Sequence, residues 1–93
     1  MEEQQKIVVT ISGQDKIGIV AEITSVLSKY KVNVEDIKQT IMQNHFVMFL
    51  LGDLSASNYS FKEVKEALLK KGEELEMEVW VQRKTIFDKM HLI

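Results

Sequence analysis

The sequence predicts an α+β domain with the element order strand–helix–strand–strand–helix–strand, followed by a short helix. Four short segments are rich in branched or alternating apolar residues, which is typical of strands. Two longer segments place apolar residues three or four positions apart, as amphipathic helices do. Two strand–helix–strand units with right-handed crossovers form a four-stranded antiparallel sheet with both helices on one face. This arrangement is the ferredoxin-like sandwich.

The first half of the chain is organised around a glycine-bearing loop. Branched residues predict a first strand over residues 6–12, and apolar residues at helical spacing predict a first helix over about residues 17–31. Between them lie Gly13 and Gly18. We expect Asp15 to cap the helix, because its carboxylate can accept hydrogen bonds from the first free N–H groups. The same N–H groups carry partial positive charge and can bind a small anion.

The next two strands are expected to form a hairpin. The second strand covers residues 32–42, and its apolar pattern changes phase near Glu35 and Asp36, which predicts a bulge or bend there. A turn is expected at residues 42–44. The third strand, over residues 45–51, is apolar on both faces. Such a strand is buried on both sides, or becomes buried when the protein associates.

The second half repeats the pattern. Ser60 and Glu63 have the spacing of a capping box, which predicts the start of the second helix. Gly72 is expected to end that helix as a left-handed C-cap. Alternating apolar residues predict a fourth strand over residues 74–82, and helical spacing returns in a C-terminal extension, residues 83–93.

Composition predicts a single domain covering residues 1–93, with a loose N-terminus at residues 1–5. The chain is 45% hydrophobic and 28% charged, with a net charge of −2. A mildly acidic balance provides no basic field for nucleic acid or an anionic membrane, so neither is an expected partner. The polar, acidic start is unlike a signal peptide, and no apolar run approaches the length of a membrane span. We therefore expect a cytoplasmic protein.

Enzyme chemistry is not expected from this sequence. There are no cysteines, which removes thiolate nucleophiles and thiolate metal sites. The two histidines, His45 and His91, have no partner at metal-ligand spacing, and no serine lies in a nucleophile-elbow motif. We expect no catalytic residues, no metal and no cofactor.

Two motifs resemble those of the ACT domain, a family of small regulatory modules that usually bind amino acids. They are DKIGIVAEI at residues 15–23 and, one helix later, VNVEDI at residues 32–37. Gly18 and Asn33 stand fifteen positions apart, as in the family pattern. The resemblance covers nearly the whole chain. It implies a stand-alone ACT-domain protein, similar to small bacterial and archaeal ones and to the ACT units of the glycine-cleavage regulator.

The resemblance also implies a binding site. Gly18 matches the family glycine, which lets a ligand carboxylate approach the N–H groups near Gly18 and Ile19. Asp15 matches a polar position that often contacts the ligand, and Asn33 matches an asparagine that often reaches it from the other subunit. The sequence departs from the family at Ile17, where proline is usual. Gly13 likewise has no side chain where some members place one.

Two functions follow from these observations, and both include a homodimer or a higher homo-oligomer. In the first, the protein is a non-catalytic regulatory module that binds an amino acid at the subunit interface. In the second, it is a ligand-free structural or interaction module that docks a partner enzyme or regulator. A ligand site should leave Asp15 and Asn33 facing a cavity, whereas a structural interface should satisfy both within the protein.

Overall fold

The computed structural model describes residues 5–90, and for Met90 its backbone alone. Outside this range lie residues 1–4 of the predicted loose N-terminus and the last three residues of the predicted extension, which include His91. The described chain forms four strands and three helices in the predicted order. They are β1 (Lys6–Gln14), α1 (Ile19–Lys29), β2 (Asn33–Met42), β3 (His45–Asp53), α2 (Phe61–Leu75), β4 (Glu78–Arg83) and α3 (Lys84–Met90).

The strands form one antiparallel sheet in the order β2-β3-β1-β4. This order confirms the ferredoxin-like prediction. One face of the sheet packs against α1 and α2, and we call it the helix face; the opposite face, which carries Val8, Thr10, Phe49 and Trp80, is called the outer face. No helix within residues 5–90 is long and apolar enough to cross a membrane.

The hydrophobic core lies between the helix face and the two long helices. Alternation along β1 places every second residue in this core. The buried residues of α1 and α2 recur every four positions and form the layer that faces the sheet. Burying an aliphatic side chain contributes about 1.5–3 kcal/mol, so this layer is the main stabilising element of a small domain. The fully buried members are Ile7, Val9, Ile11, Ile23, Leu27, Met48, Leu50, Val64 and Leu68.

The predicted bulge in β2 is confirmed. The pairing of β2 with β3 shifts between Val34 and Asp36, so that Glu35 has no partner in the register. An extra residue reverses the faces of all residues beyond it. As a result, Asp36 lies opposite Leu51 on the outer face, where strict alternation from Val34 would have turned it towards the core.

The prediction for the start of α1 is wrong by two residues. The helix begins at Ile19, and its N-cap is Gly18 with φ 89°, in the left-handed region. A residue with this φ cannot continue a right-handed helix, so the helix cannot begin at residue 17. Asp15 does not cap α1, since the N-cap position makes no side-chain hydrogen bond and Asp15 lies three residues earlier.

The start of α2 is as predicted. Ser60 Oγ accepts a hydrogen bond from the Glu63 N–H at 3.1 Å, and the Glu63 carboxylate accepts one from the Ser60 N–H at 2.8 Å. This reciprocal pair is the capping box, which satisfies two of the free donors at the helix start.

The predicted end of α2 at Gly72 is wrong. The helix continues to Leu75, and Glu76 takes the left-handed C-cap position with φ 59°. Gly72 is instead buried in the helix interior, where a Cβ atom would overlap Cγ2 of Val79. The missing side chain therefore allows α2 to approach β4 closely. Because α2 uses residues through Leu75, β4 begins only at Glu78.

The outer face is only partly covered. α3 packs across it, and the rings of Phe87 and Phe49 meet edge-on with their centroids 6.5 Å apart. Trp80 is nevertheless 50% exposed, and Ile86 on α3 is also 50% exposed. α3 therefore packs on apolar surface of its own chain through Phe87, whereas the side chain of Ile86 is half exposed.

Candidate functional site

The loop between β1 and α1 presents free backbone donors. Because the N-cap is Gly18, no side chain accepts hydrogen bonds from the first turn of α1. These N–H groups form the positive end of the helix dipole and favour an anion. The space beside Gly18 is open, since an added Cβ atom would meet no heavy atom within 4 Å. No atom beyond its two chain neighbours therefore fills the space beside Gly18 at the start of α1.

The loop is held in place from two sides. The Asp15 N–H donates to the carbonyl of Asn44 in the β2–β3 turn at 2.8 Å. The Lys16 ammonium donates to the Leu75 carbonyl at 2.6 Å and pairs with Glu76 at 3.2 Å. A cation at the C-terminal end of α2 is favoured by that helix's dipole. Sequence reasoning missed Lys16, because its partners lie some 60 positions later and only the fold brings them together.

Apolar side chains surround the same end of the sheet. Ile17 at the loop tip is fully exposed, at 104% of its reference area. Ile41 and Met42 at the end of β2 are 57% and 71% exposed. The hydrogen bond between Asp15 and Asn44 places the loop and the hairpin at one end of the sheet. The loop before α1 and the exposed apolar side chains at the end of β2 thus lie at the same end of the sheet.

Asp15, Ile17, Gly18 and Ile19 are brought together by this loop, but Asn33 is not. Asp15 is exposed, and its side chain makes no hydrogen bond within the described residues. Asn33 is exposed at the start of β2, opposite Asp53, at the far end of the sheet. Nine strand steps of about 3.3 Å separate it from Met42, or roughly 30 Å. Within one chain Asn33 therefore cannot contact a ligand at Gly18.

Asp53 is a charged neighbour of Asn33 that sequence reasoning missed. Its carboxylate accepts a hydrogen bond from the Ser55 N–H at 2.9 Å, and this bond holds the pKa of Asp53 below its usual value of 3.8. A hydrogen bond to the charged form stabilises that form. Asp53 therefore stays ionised at neutral pH, beside Asn33. An Asp two residues before a serine is a local turn signal that the sequence does contain.

His45 is exposed at the start of β3. Its Nε2 atom forms a hydrogen bond with Ser12 Oγ at 2.8 Å, which the sequence did not predict. In the part of the chain that the structure describes, no group of three or more potential ligands could hold a metal ion.

The family of this chain follows from its match to a known protein family. Residues 5–82 match the ACT domain. The chain belongs to the ACT domain family. This ACT domain resembles short proteins from both bacteria and archaea. A UPF0237 protein of Clostridium acetobutylicum is 43% identical over 88 residues, which are 95% of this chain and 99% of that protein. A UPF0237 protein of Methanocaldococcus jannaschii is 47% identical over 88 residues, or 95% and 98% of the two chains.

Solved structures share the fold of this ACT domain. An ACT domain protein from Streptococcus pneumoniae has a TM-score of 0.77 at 28% identity, covering 89% of this chain and 93% of that one. A putative glycine cleavage system transcriptional repressor has a TM-score of 0.76 at 24% identity. The match covers 85% of this chain and 45% of the repressor, and at that identity it shows the fold alone.

Proposed function

We propose that this ACT domain is a non-catalytic regulatory module that binds an amino acid at the interface of a homodimer. The observation that carries the proposal is the start of α1, where an uncapped helix end, an open space at Gly18 and an anchored loop coincide. A helix N-terminus with free donors favours the carboxylate of an amino acid. The exposed carboxylate of Asp15, three residues earlier, is available for the ammonium group.

The position of Asn33 supports a site that two subunits share. β2 is an edge strand of ten residues, and its outer edge has no partner in the described chain. Two copies that pair antiparallel through β2 would place the start of one strand beside the end of the other. Asn33 of the partner subunit would then lie near Met42, at the end of the sheet that holds the loop. Its amide can both donate and accept, so it can contact either polar group of the ligand.

The proposal is tested first by a ligand screen. Thermal-shift measurements with each of the twenty amino acids should identify at least one that raises the melting temperature, because a ligand that binds only the folded state stabilises it. Calorimetry with that amino acid should then show that Asn33→Ala weakens binding by about 1–3 kcal/mol, the usual cost of an unmatched buried polar partner. Asn58→Ala, at an exposed asparagine before α2, is the matched control and should leave binding unchanged.

The geometry of Gly18 decides which substitution is informative there. Gly18→Val would strain the left-handed backbone and disturb the loop itself. Asparagine tolerates that conformation, so Gly18→Asn should keep the loop while placing a side chain where the ligand carboxylate binds.

Two outcomes would contradict the proposal. Equal affinity of wild type and Asn33→Ala for the amino acid would remove Asn33 from the site.

Failure of every amino acid to bind would favour the second candidate, a ligand-free interaction module. The fully exposed Ile17 is the observation that favours it, since an isoleucine at a loop tip suits a protein partner.

A further inference from the structure

A second concave site lies on the outer face, between the sheet and α3. It encloses about 190 Å³. Its floor is formed by Val8, Phe49 and Leu51, and one wall is the ring of Phe87 on α3. At about 30 Å³ per water molecule, the cleft has room for roughly six waters, which suits a small molecule. It lies on the opposite sheet face from α1 and includes neither Gly18 nor Asn33.

Two charged side chains of opposite sign line this cleft because of the bulge in β2. The register shift at Glu35 turns Asp36 and Lys38 onto the outer face, opposite Leu51 and Phe49. Glu35 itself is paired with Lys6 at 2.7 Å. In contrast, within residues 5–90 the side chains of Asp36 and Lys38 make no hydrogen bond or ion pair. Bulges frequently re-aim side chains next to functional sites.

α3 completes the charged rim. Lys84, Phe87 and Asp88 share one face of the helix at spacings of three and four residues, and all three line the cleft. Lys84 and Asp88 pair with each other at 2.6 Å, so their charges are already compensated. The two charges still available to a ligand are therefore Asp36 and Lys38.

We propose that this cleft binds a small zwitterion with an apolar body, such as an apolar α-amino acid. The carboxylate pairs with Lys38, the ammonium with Asp36, and the apolar side chain packs against the rings of Phe49 and Phe87, which line the cleft. Asp36 and Lys38 are two positions apart on one strand face, or about 6.6 Å, so one small molecule can reach both side chains. A ligand of a single charge would leave one of the two groups unmatched, and a dianion would be repelled by Asp36. A ligand bound in the cleft contacts both α3 and the sheet and so connects them.

The probes that test this site are L-leucine, L-methionine and L-phenylalanine, measured by calorimetry and by amide chemical-shift mapping on the full chain. At least one should bind and shift the amide signals of Val8, Lys38 and Phe87. Asp36→Asn and Lys38→Gln should each raise Kd tenfold or more. The exposed control substitutions Lys62→Gln and Glu66→Gln on α2 should leave it unchanged. For leucine, the single-charge analogues isoamylamine and 4-methylpentanoate should bind at least tenfold more weakly.

The Asn33→Ala variant distinguishes binding in this cleft from binding at the site beside α1. Binding here should survive Asn33→Ala, which impairs the proposed α1 site. The inference is overturned if no probe binds at millimolar concentration, or if binding is lost in Asn33→Ala and kept in Lys38→Gln. It is also overturned if Lys38→Gln changes only the mass measured by light scattering, because the outer face would then be an interface between copies of this chain.

Discussion

Gly18 and Gly72 look alike in the sequence, each beside a helical segment, but the structure requires glycine at the two positions for different reasons. Gly18 has φ 89°, a conformation that favours glycine, and it sets the start of α1. Gly72 lies in the interior of α2, where only the absence of a Cβ atom admits Val79. The sequence predicted Gly72 as the left-handed C-cap of α2, which is wrong, because the role of Gly72 depends on its tertiary contact with β4.

Gly72→Ala should destabilise the protein by about 1–3 kcal/mol, the typical cost of overpacking a close contact. Alanine favours a helix over glycine by about 1 kcal/mol, so an isolated helix would predict the opposite sign. Urea denaturation measures the difference. The neighbouring exposed position provides the control, since Glu73→Ala removes no close contact. A Gly72→Ala protein as stable as wild type would show that α2 and β4 can separate at little cost.

At the scale of helices and strands, the features predicted correctly are those that depend on residues close together in the sequence. The change of phase near Glu35 predicted the bulge, and the spacing of Ser60 and Glu63 predicted the capping box. The boundaries of α1 and β4 were less well predicted. Lys16 holds the loop before α1 to the end of α2, and no pattern near Lys16 indicates that partner.

α3 should stabilise the sheet through Phe87. Phe87→Ala should lower stability by about 1.5–2.5 kcal/mol, half the loss for a fully buried phenylalanine, because the ring is half-buried against Phe49. Ile86→Ala is the matched control on the same helix, and its side chain is half exposed. Removal of residues 85–93 should lower the melting temperature at least as much as Phe87→Ala. If the truncated chain melts like wild type, α3 does not stabilise the fold.

At the scale of the whole molecule, the sequence predicted the strand order and the helix side of the sheet, because both follow from alternating patterns and right-handed crossovers. The role of the five predicted site residues in binding stays a prediction, and the structure brings only some of them together. Asp15, Ile17 and Gly18 lie in the loop before α1, and Ile19 begins that helix. Asn33 lies at the other end of the sheet. The distance between Gly18 and Asn33 depends on the position of the loop beside the β2–β3 turn, which no local pattern encodes. That distance is what makes a second subunit necessary for the proposed site.

A homodimer is therefore central to the proposed function. In the described chain the outer edge of β2 has no partner strand, and association through that edge would cover it. Light scattering at tens of micromolar, roughly the concentration range of moderate affinity, should give the mass of a dimer. A monomeric mass would exclude a site shared between subunits at that concentration.

The most direct test of the shared site is complementation between two defective chains. Gly18→Asn and Asn33→Ala should each lose affinity for the amino acid found in the thermal screen. After the two variants are mixed and exchange subunits, each mixed dimer contains one site with both substitutions and one intact site. Calorimetry should then recover wild-type affinity at about a quarter of the wild-type number of sites, because random exchange makes half of the dimers mixed. A mixture that binds no better than the separate variants would contradict a site built from Gly18 of one subunit and Asn33 of the other.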